Sequence, residues 1–374
     1  MKFSIEKQIF VNGLQRVSSI VENRSVMPIL SNVMLDACQD GLRLSATNLD
    51  VSINCCVRAN VERAGKITLP AKKLSAIIRS LPSPDVIVEL DGNKVNISSG
   101  RSHFQIMGLG AEEFPVSESS NADNTTVLQQ SDMSKMLKRV SFAQSNDDNR
   151  FILNSVYFCF DGDKLTFAAT DGRRLSVVSQ KMPTVVEQSH GVIIPSKTIR
   201  ELERLLGQGD EVSFSYDKKQ VTFLVGVSKD NKDGLIGDIR LVSKVIDGNY
   251  PNFRQIIPQT TENRVKIDRQ LALECIQRVA IVSSEQKNLV KLRFENNTLE
   301  ISAESQEYGA AHEKIAIVYD SEPVEIAFNH IFLCDPLKVL TQDEVFFEFK
   351  DELSAGVFKT LDDFLYVVMP LRMG

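Results

Sequence analysis

Three short stretches of the chain carry apolar residues at intervals of three and four positions. Each stretch ends on a similar tetrapeptide, LQRV at 14–17, LKRV at 137–140 and IQRV at 276–279. This spacing predicts an amphipathic helix at each of the three places. The predicted apolar faces consist of Phe10, Leu14, Val17 and Val21 in the first stretch, and of Met133, Met136, Leu137 and Val140 in the second.

An alternating pattern of apolar and polar residues follows each predicted helix, and a short polar turn interrupts it each time. Alternation predicts strands, and Gly or Asn in the turn favours a hairpin. The predicted hairpins pair 33–37 with 42–47 across the turn 39–41, 156–160 with 165–170 across 161–163, and 290–294 with 299–303 across 295–297.

A second helix is predicted in each third of the chain, preceded by an apolar strand and followed by an alternating one. The transitions from strand to helix lie at 67–74, 192–199 and 324–331, and the helices end near Leu81, Gly207 and Thr341. Proline at a first helical turn and glycine just beyond a helix end are the expected residues there. The strands that follow are predicted at 86–90, 212–216 and 345–349.

This threefold recurrence predicts three similar modules, each large enough for its own core. A chain of 374 residues also exceeds what one hydrophobic core usually serves. Polar linkers at 117–126 and 258–263 place the domains at 1–120, 126–258 and 263–374. The predicted fold class is α+β, with two helices packed on antiparallel sheets in each domain.

Composition is that of an ordinary globular protein, with 43% hydrophobic and 25% charged residues. The N-terminus carries charges where a signal peptide needs an apolar run, and the longest apolar stretches are only strand-sized, so we expect a cytoplasmic protein. The six cysteines include no C-x-x-C pair, and the four histidines form no cluster with ligand spacing. We therefore expect buried, reduced thiols, no metal and no cofactor.

The net charge of −6 is unusual for a protein that binds nucleic acid. Basic residues nevertheless concentrate on the predicted helices at matched positions of the repeat, where they would make phosphate contacts without sequence readout. Solvated helix faces paired to acids such as Glu201 and Glu203 are the alternative. The candidates are Arg24, Lys72, Lys73, Arg79, Lys135, Lys138, Arg139, Lys197, Arg200 and Arg204, with a weaker set in the last third, Arg269, Arg278, Lys287 and Lys338.

Several strings, in order from the first residue to the last, resemble those of the bacterial DNA polymerase III beta subunit, the sliding clamps. They are MKF at the start, Arg24 with MPIL at 27–30, SGRS at 99–102, ATDG at 169–172, DG at 247–248 with YP at 250–251, and YVVMPLR at 366–372. TDG alone would only indicate a turn. The ordered set, together with the threefold repeat, is specific.

The resemblance implies a processivity factor, without catalytic activity, that closes head to tail with a second copy into a ring around duplex DNA. Twelve helices of about 10 Å diameter in a circle leave a hole of roughly 30 Å, wider than the duplex. The implied partners are non-specific duplex DNA, a second copy, a clamp loader ATPase, and polymerases and repair proteins that carry short clamp-binding peptides. No membrane partner is implied.

The resemblance also implies a groove for those peptides. Matching positions are Leu153, Thr170, Gly172, Arg173, Arg174, Leu175, Pro251, Ile256, Val367, Met369, Pro370, Leu371 and Arg372. Met and Leu would supply adaptable apolar walls and the arginines polar anchoring at the rim. The family often has His at the position of Arg173 and Arg at that of Gln255, so the peptide preference is open, and core packing is the alternative role of Met369 and Leu371.

The closure of the ring is implied at two further places. Phe104 and Ile106 lie on an alternating strand, and Ile281 and Val282 follow the first helix of the third domain. Regions like these meet across the subunit boundary in the family, although each could equally be buried within its own domain.

Three alternatives differ from the housekeeping clamp. An enzyme would need a paired-carboxylate site, a phosphate-binding loop with lysine or a nucleophile elbow, and the sequence has none of these motifs. A sequence-reading DNA-binding protein would need a recognition helix with Arg, Asn or Gln directed at base edges. A specialised clamp paralogue, for instance one that resists an inhibitor, would carry the same motifs as the housekeeping protein.

Overall fold

The computed structural model describes residues 1–21, 27–115, 125–284 and 288–372. Within these residues, six α-helices and five short 3-10 helices alternate with the strands. The α-helices are α1 Lys7–Val17, α2 Ala71–Ser80, α3 Gln130–Val140, α4 Ser196–Leu205, α5 Arg269–Val279 and α6 His330–Val339. The 3-10 helices are Ser18–Ile20, Pro28–Ser31, Ser141–Ala143, Phe253–Gln255 and Ala280–Val282. None of the described helices is long and apolar enough to cross a membrane.

The part of the chain that the structure describes contains twenty-three strands, which form four antiparallel sheets. Up to the end of the first third they are β1 Lys2–Glu6, β2 Asn32–Cys38, β3 Gly41–Thr47, β4 Val51–Val57, β5 Asn60–Arg63, β6 Gly65–Pro70, β7 Asp85–Asp91, β8 Lys94–Ser99 and β9 Ser102–Met107. The middle of the chain contributes β10 Thr125–Gln129, β11 Ser155–Thr170, β12 Arg174–Pro195, β13 Glu211–Tyr216, β14 Gln220–Val225 and β15 Leu235–Lys244. The remaining strands are β16 Asn263–Asp268, β17 Leu289–Glu295, β18 Thr298–Ser305, β19 Gly309–Ala316, β20 Val324–Asn329, β21 Glu344–Phe349, β22 Gly356–Lys359 and β23 Phe364–Val368.

The chain divides into two compact units. The first consists of residues 1–134 and 197–247, and it holds a five-stranded sheet in the order β5-β1-β7-β8-β9. Its second sheet has eight strands in the order β10-β13-β14-β15-β4-β3-β2-β6. Helix α1 packs against α2 and against β4, and its buried side chains Phe10, Leu14 and Val17 fill the space between them.

The second unit consists of residues 135–196 and 248–374. It holds a six-stranded sheet in the order β11-β12-β23-β22-β21-β16 and a four-stranded sheet in the order β19-β18-β17-β20. Helix α5 packs against α6 and against the four-stranded sheet. Asp268 begins α5 by accepting a hydrogen bond from the backbone N–H of Leu271 at 2.8 Å, and Asn329 caps α6 in the same way.

The threefold pattern predicted from the sequence is confirmed in the order of elements. A strand leads into an 11-residue helix and a 3-10 turn at α1, α3 and α5, and the predicted tetrapeptides end these helices at Val17, Val140 and Val279. A strand leads into a 10-residue helix at α2, α4 and α6. The apolar face predicted for α1 is buried as far as Val17, and Val21 beyond the helix is half-buried.

Two of the three predicted hairpins are the strand pairs β2–β3 and β17–β18. The third lies inside β11, whose two halves both pair with β12. The rings of Phe158 and Phe167 stack with their centroids 3.7 Å apart. Nine residues of straight strand would separate the two rings by roughly 30 Å, so the segment folds back on itself at the predicted turn.

The six cysteines are free thiols. Cys55, Cys159, Cys275 and Cys334 are buried as predicted, whereas Cys38 and Cys56 are only half-buried because they lie on the outer face of the first unit's large sheet. Burial raises the pKa of Cys55 to about 12, so this thiol stays protonated and unreactive at neutral pH.

Candidate partner-binding groove and DNA-facing helices

An apolar cluster in the second unit joins strands β11, β12, β22 and β23 to the segment 250–257. Leu175 and Val367 are cross-strand partners at its centre, and each is only 1% exposed. They form a floor with further buried residues, Ala168, Val177, Phe253 and Val357. Tyr157, Tyr250, Ile257, Ala355 and Leu365 pack around this floor. The sequence-predicted residues Leu175 and Val367 therefore lie together, as a groove floor requires.

A tight turn joins β11 to β12 beside this floor. Gly172 adopts a positive φ of 89°, a conformation that favours glycine. Thr170 accepts a hydrogen bond from the Gly172 N–H at 3.0 Å and donates one to the carbonyl of Arg174. The carboxylate of Asp171 accepts the N–H groups of Arg173 and Arg174. The TDG string thus fixes the direction in which the two arginines leave the backbone.

Arg174 lies in the interior, not at the rim where we expected an anchoring arginine. Its Nε donates to Asp171 at 3.0 Å, its Nη1 to Asp335 at 2.6 Å and its Nη2 to the Phe142 carbonyl at 2.6 Å. The ring of Phe332 lies under the guanidinium, with its centroid 4.4 Å away. With all three nitrogens engaged, Arg174 positions the turn and the neighbouring helix; it does not offer a free donor to a ligand.

Arg173 is exposed, and its carbonyl accepts the backbone N–H of Met369 at 3.0 Å. This bond holds the chain's tail beside the turn. Met369 is 43% exposed, Pro370 and Leu371 are half-buried, and Leu371 donates its N–H to the Ala327 carbonyl. Arg372 is exposed. The exposure of Met369 argues against the alternative that this side chain is part of the core. Leu371 is half-buried and its backbone is hydrogen-bonded, so core packing remains the alternative for that residue.

The segment 250–257 borders the floor on its other side. Tyr250 stacks on Tyr157 with ring centroids 4.8 Å apart, and Phe253 is buried in the cluster. Pro251 and Gln255 are exposed, and Ile256 presents 43% of its surface to solvent. On the β11 side, Leu153 is half-buried and its carbonyl accepts the Ser145 N–H.

These residues make a buried apolar floor bordered by exposed apolar side chains, with an arginine at the edge. Such an arrangement suits a short peptide that inserts a few apolar side chains and anchors its ends by polar contacts. The tyrosines 157 and 250 were missed by the sequence reasoning, although the YP string at 250–251 marks the segment. Asp335 was also missed, because nothing near it in sequence points to Arg174.

The basic residues of the helices fall into two groups. Lys72, Lys73 and Arg79 on α2, Lys138 on α3 and Arg200 on α4 are exposed and make no ion pair among the described residues. Lys135 and Lys197 are also exposed. Two others are engaged: Arg139 pairs with Asp362 at 2.7 Å, and Arg204 pairs with Glu201 at 2.8 Å. Arg24 and Lys287 lie outside the described residues.

Arg204 agrees with the alternative interpretation, in which a helix cation is paired to an acidic residue such as Glu201. Besides Glu201, its guanidinium donates to the carbonyls of Gln15 and Arg16 and to the Ser19 hydroxyl, so it connects α4 to the end of α1. In the last third, Arg269 donates to two backbone carbonyls and Arg278 forms a two-point pair with Glu313. Among the candidate cations that the structure describes, the exposed ones without an ion pair therefore include Lys72, Lys73 and Arg79 on α2, Lys138 on α3 and Arg200 on α4.

Strands β9 and β19 are edge strands of their sheets. Strand β9 ends the five-stranded sheet of the first unit, and there Phe104 is 36% exposed while Ile106 is half-buried. Strand β19 ends the four-stranded sheet of the second unit. In the 3-10 helix Ala280–Val282 of the same unit, Ile281 is 77% exposed and Val282 is half-buried. Open edges with apolar neighbours are typical of surfaces that another chain covers.

Comparison with known proteins places the whole chain in one family. Residues 1–118, 127–252 and 254–372 match the N-terminal, central and C-terminal domains of the DNA polymerase III beta subunit. The chain belongs to the DNA polymerase III beta subunit family. The fold is accordingly α+β with three clamp domains, and the protein is a sliding clamp: a processivity factor and a non-catalytic accessory subunit of DNA polymerase III.

Individual clamps agree with this assignment over their full length. The beta sliding clamp of Pseudomonas putida is 33% identical over 379 residues, covering 100% of both chains. The crystal structure of the Pseudomonas aeruginosa clamp bound to griselimycin superposes with a TM-score of 0.91 at 32% identity, and that of the Bacillus subtilis clamp with 0.92 at 27%, each covering 100% of both chains. Clamps of this family form dimeric rings around DNA and bind polymerases through a peptide groove. Neither alternative function is favoured.

Proposed function

We propose that the apolar cluster of the second unit is this clamp's attachment site for the short peptides of polymerases and repair proteins. The observation that carries the proposal is the buried pair Leu175–Val367 with exposed apolar side chains beside it at Met369 and Ile256. The griselimycin complex of a related clamp supports a ligand-binding role for the family. In the proposed site, Arg174 acts as a positioning residue, and Arg173 gives the rim a positive charge.

The proposal extends to DNA. The exposed cations of α2, α3 and α4 line the hole of the ring and contact phosphates without reading bases. An overall charge of −6 leaves the exterior acidic, which repels DNA from the wrong surface. Arg139 and Arg204 contribute less than the others because acidic partners already neutralise them.

The ring itself closes, in this proposal, when the β9 edge of one copy meets the β19 edge of another. Phe104 and Ile106 then pack near Ile281 and Val282 of the second copy. Three domains at 1–120, 126–258 and 263–374 make up each half. Loading requires a separate ATPase, and the protein works in the cytoplasm.

Primer extension on a long, singly primed circle tests the tether. With cognate polymerase, loader and ATP, the wild-type clamp should yield full-length products in a single binding event. Met369→Ala should shorten them, because the peptide loses an exposed apolar contact. Leu361→Ala is the control, since Leu361 is 92% exposed and does not belong to the cluster. Equal product lengths for wild type and Met369→Ala would overturn the assignment of the groove.

A further inference from the structure

One face of the eight-stranded sheet in the first unit carries a polar cleft that the clamp function does not use. The pairing registers place its lining side chains in two neighbouring rows. The first row runs across the strands as Lys66, Asp36, Arg43, Cys56 and Ile236, and the second as Thr68, Met34, Ser45, Asn54 and Arg240. All but Thr68 line one cavity of about 550 Å³, together with Cys55 and Asp238.

Both ends of this cleft are raised. At the Met34 end, an apolar cluster with Ile29, Leu30 and Phe114 stands on the sheet. At the other end, β15 bulges between its pairings Ile236↔Cys56 and Arg240↔Asn54, with Gly237 at a positive φ of 64°. A bulge re-aims the side chains that follow it. The cleft is therefore a built concavity of the size that small-molecule sites have.

Charges in the cleft are unevenly matched. Asp36 is buried, and its Oδ2 is shared by Lys66 at 3.1 Å and Arg43 at 3.8 Å. Asp238 is exposed on the bulge and forms no ion pair among the described residues. Three cations thus face two carboxylates, and one of these carboxylates already serves two cations.

Arg240 is the third cation, and it does not share Asp36 with Lys66 and Arg43. The residue is half-buried, but its Nε and Nη2 atoms are shielded from solvent and have no hydrogen-bond partner among the described residues. These two nitrogens form one edge of the guanidinium, with parallel N–H groups that match the two oxygens of a carboxylate or phosphate. A buried charged donor without an acceptor from the protein is unfavourable, so this edge of the Arg240 guanidinium points to a ligand.

We propose that this cleft is an oxyanion-binding site in which the Nε/Nη2 edge of Arg240 holds the acidic head of a small organic anion. The hydroxyl of Ser45 and the amide of Asn54 lie in the same row and can donate to the remaining oxygens. Arg43 and Lys66 raise the local positive potential. The head group is a carboxylate or a phosphate, and the cavity leaves room for a body of metabolite size that touches Met34 and Ile236.

Isothermal titration of the full-length protein tests the site with three probes at constant ionic strength: citrate, glycerol 3-phosphate and inorganic phosphate. We expect one site per chain for citrate or for glycerol 3-phosphate, and which of them binds identifies the head group. Arg240→Met should weaken that binding at least tenfold. Arg240→Lys should weaken it similarly, because lysine keeps the charge but lacks the fork. Arg58→Met, which removes an exposed arginine of the same unit, should bind like wild type.

Folding of the variants is checked by thermal melting without ligand. Arg240→Met should melt no lower than wild type, since the substitution removes a buried cation without an acceptor. Crystals grown with the binding probe should place two oxygens on Nε and Nη2. The proposal is overturned if no probe shows binding that depends on Arg240, or if the fork carries only water in those crystals.

Discussion

The proposed groove of the second unit and the exposed face of α2 in the first unit are built in opposite ways. The groove is built around side chains almost without exposure, Leu175 and Val367, and around a guanidinium whose every nitrogen has a partner inside the protein. On α2, Lys72, Lys73 and Arg79 are exposed and form no ion pair with any residue that the structure describes. A site that recognises a partner by its shape needs internal bonds that keep the site rigid. A surface that slides along DNA needs exposed charges that are not fixed by partners within the protein.

This difference predicts how each surface responds to change. A site defined by packing should lose stability when its supports are removed and should be insensitive to salt. A site defined by exposed charge should tolerate substitution and respond strongly to salt.

Removing the support of the groove should have the largest effect. Arg174→Met leaves Asp171 without its ion-pair partner and Asp335 with only the longer contact to Lys338 at 3.6 Å, in a largely buried setting. We expect the free energy of unfolding to fall by about 3 kcal/mol. Its exposed neighbour provides the control: Arg173→Met should change stability by less than about 0.5 kcal/mol. Chemical denaturation of both variants measures this, and equal stabilities would show that the buried network is not what holds the turn.

Trimming the groove's exposed wall should affect binding and leave stability nearly unchanged. Met369→Ala should weaken a polymerase-derived clamp-binding peptide about tenfold, or about 1.4 kcal/mol. Fluorescence anisotropy measures the affinity for the peptide in low and in high salt. We expect the same loss of affinity in both, because the contact is apolar. A loss that vanishes in high salt would mean that Met369 acts through charged neighbours.

The charged helix face should show the reverse behaviour. Replacing Lys72, Lys73 and Arg79 together by Gln should weaken binding to a short duplex by roughly two- to fivefold in low salt. The slope of log K against log salt should also become shallower, by up to about 0.9 for each phosphate that the protein no longer neutralises. Arg278→Gln is the matched control on a cation already paired to Glu313, and it should alter neither quantity. Identical slopes for all three proteins would remove α2 from the DNA-facing surface.

The ion pair between Arg278 and Glu313 should show the smallest and most local effect. The hydrogen bonds from Arg278 lower the pKa of Glu313 to about 2. A lowered carboxyl pKa means that the pair's small contribution to stability is complete above the ordinary pKa of 4.5 and is lost as the pH falls through about 2. In Arg278→Gln, NMR titration of the Glu313 carboxyl should show its pKa move up towards 4.5. A carboxyl that titrates at the same pH in both proteins would contradict the pairing.

The sequence could predict features that depend on neighbouring residues, and it could not predict contacts between residues far apart in the chain. The repeat, the six helices and the hairpins were predictable because they depend on local spacing of apolar residues. Of the buried apolar cluster, only Leu175 and Val367 were named in advance, and they came from the family resemblance and not from the spacing. The interior place of Arg174 was not, since its partner Asp335 lies 161 residues away. The pairing of Arg139 with Asp362, and the unpaired fork of Arg240, likewise depend on which distant strands become neighbours.

Retention on DNA tests the central claim most directly. The protein is loaded onto a nicked circular plasmid with its cognate clamp loader and ATP, the complex is isolated in moderate salt, and the plasmid is then cut once. A ring that encircles the duplex stays on the circle and slides off after the cut, and this is the result we predict. Protein that remains bound after the cut would be held by ordinary contacts with phosphates or bases, and that result would contradict the ring.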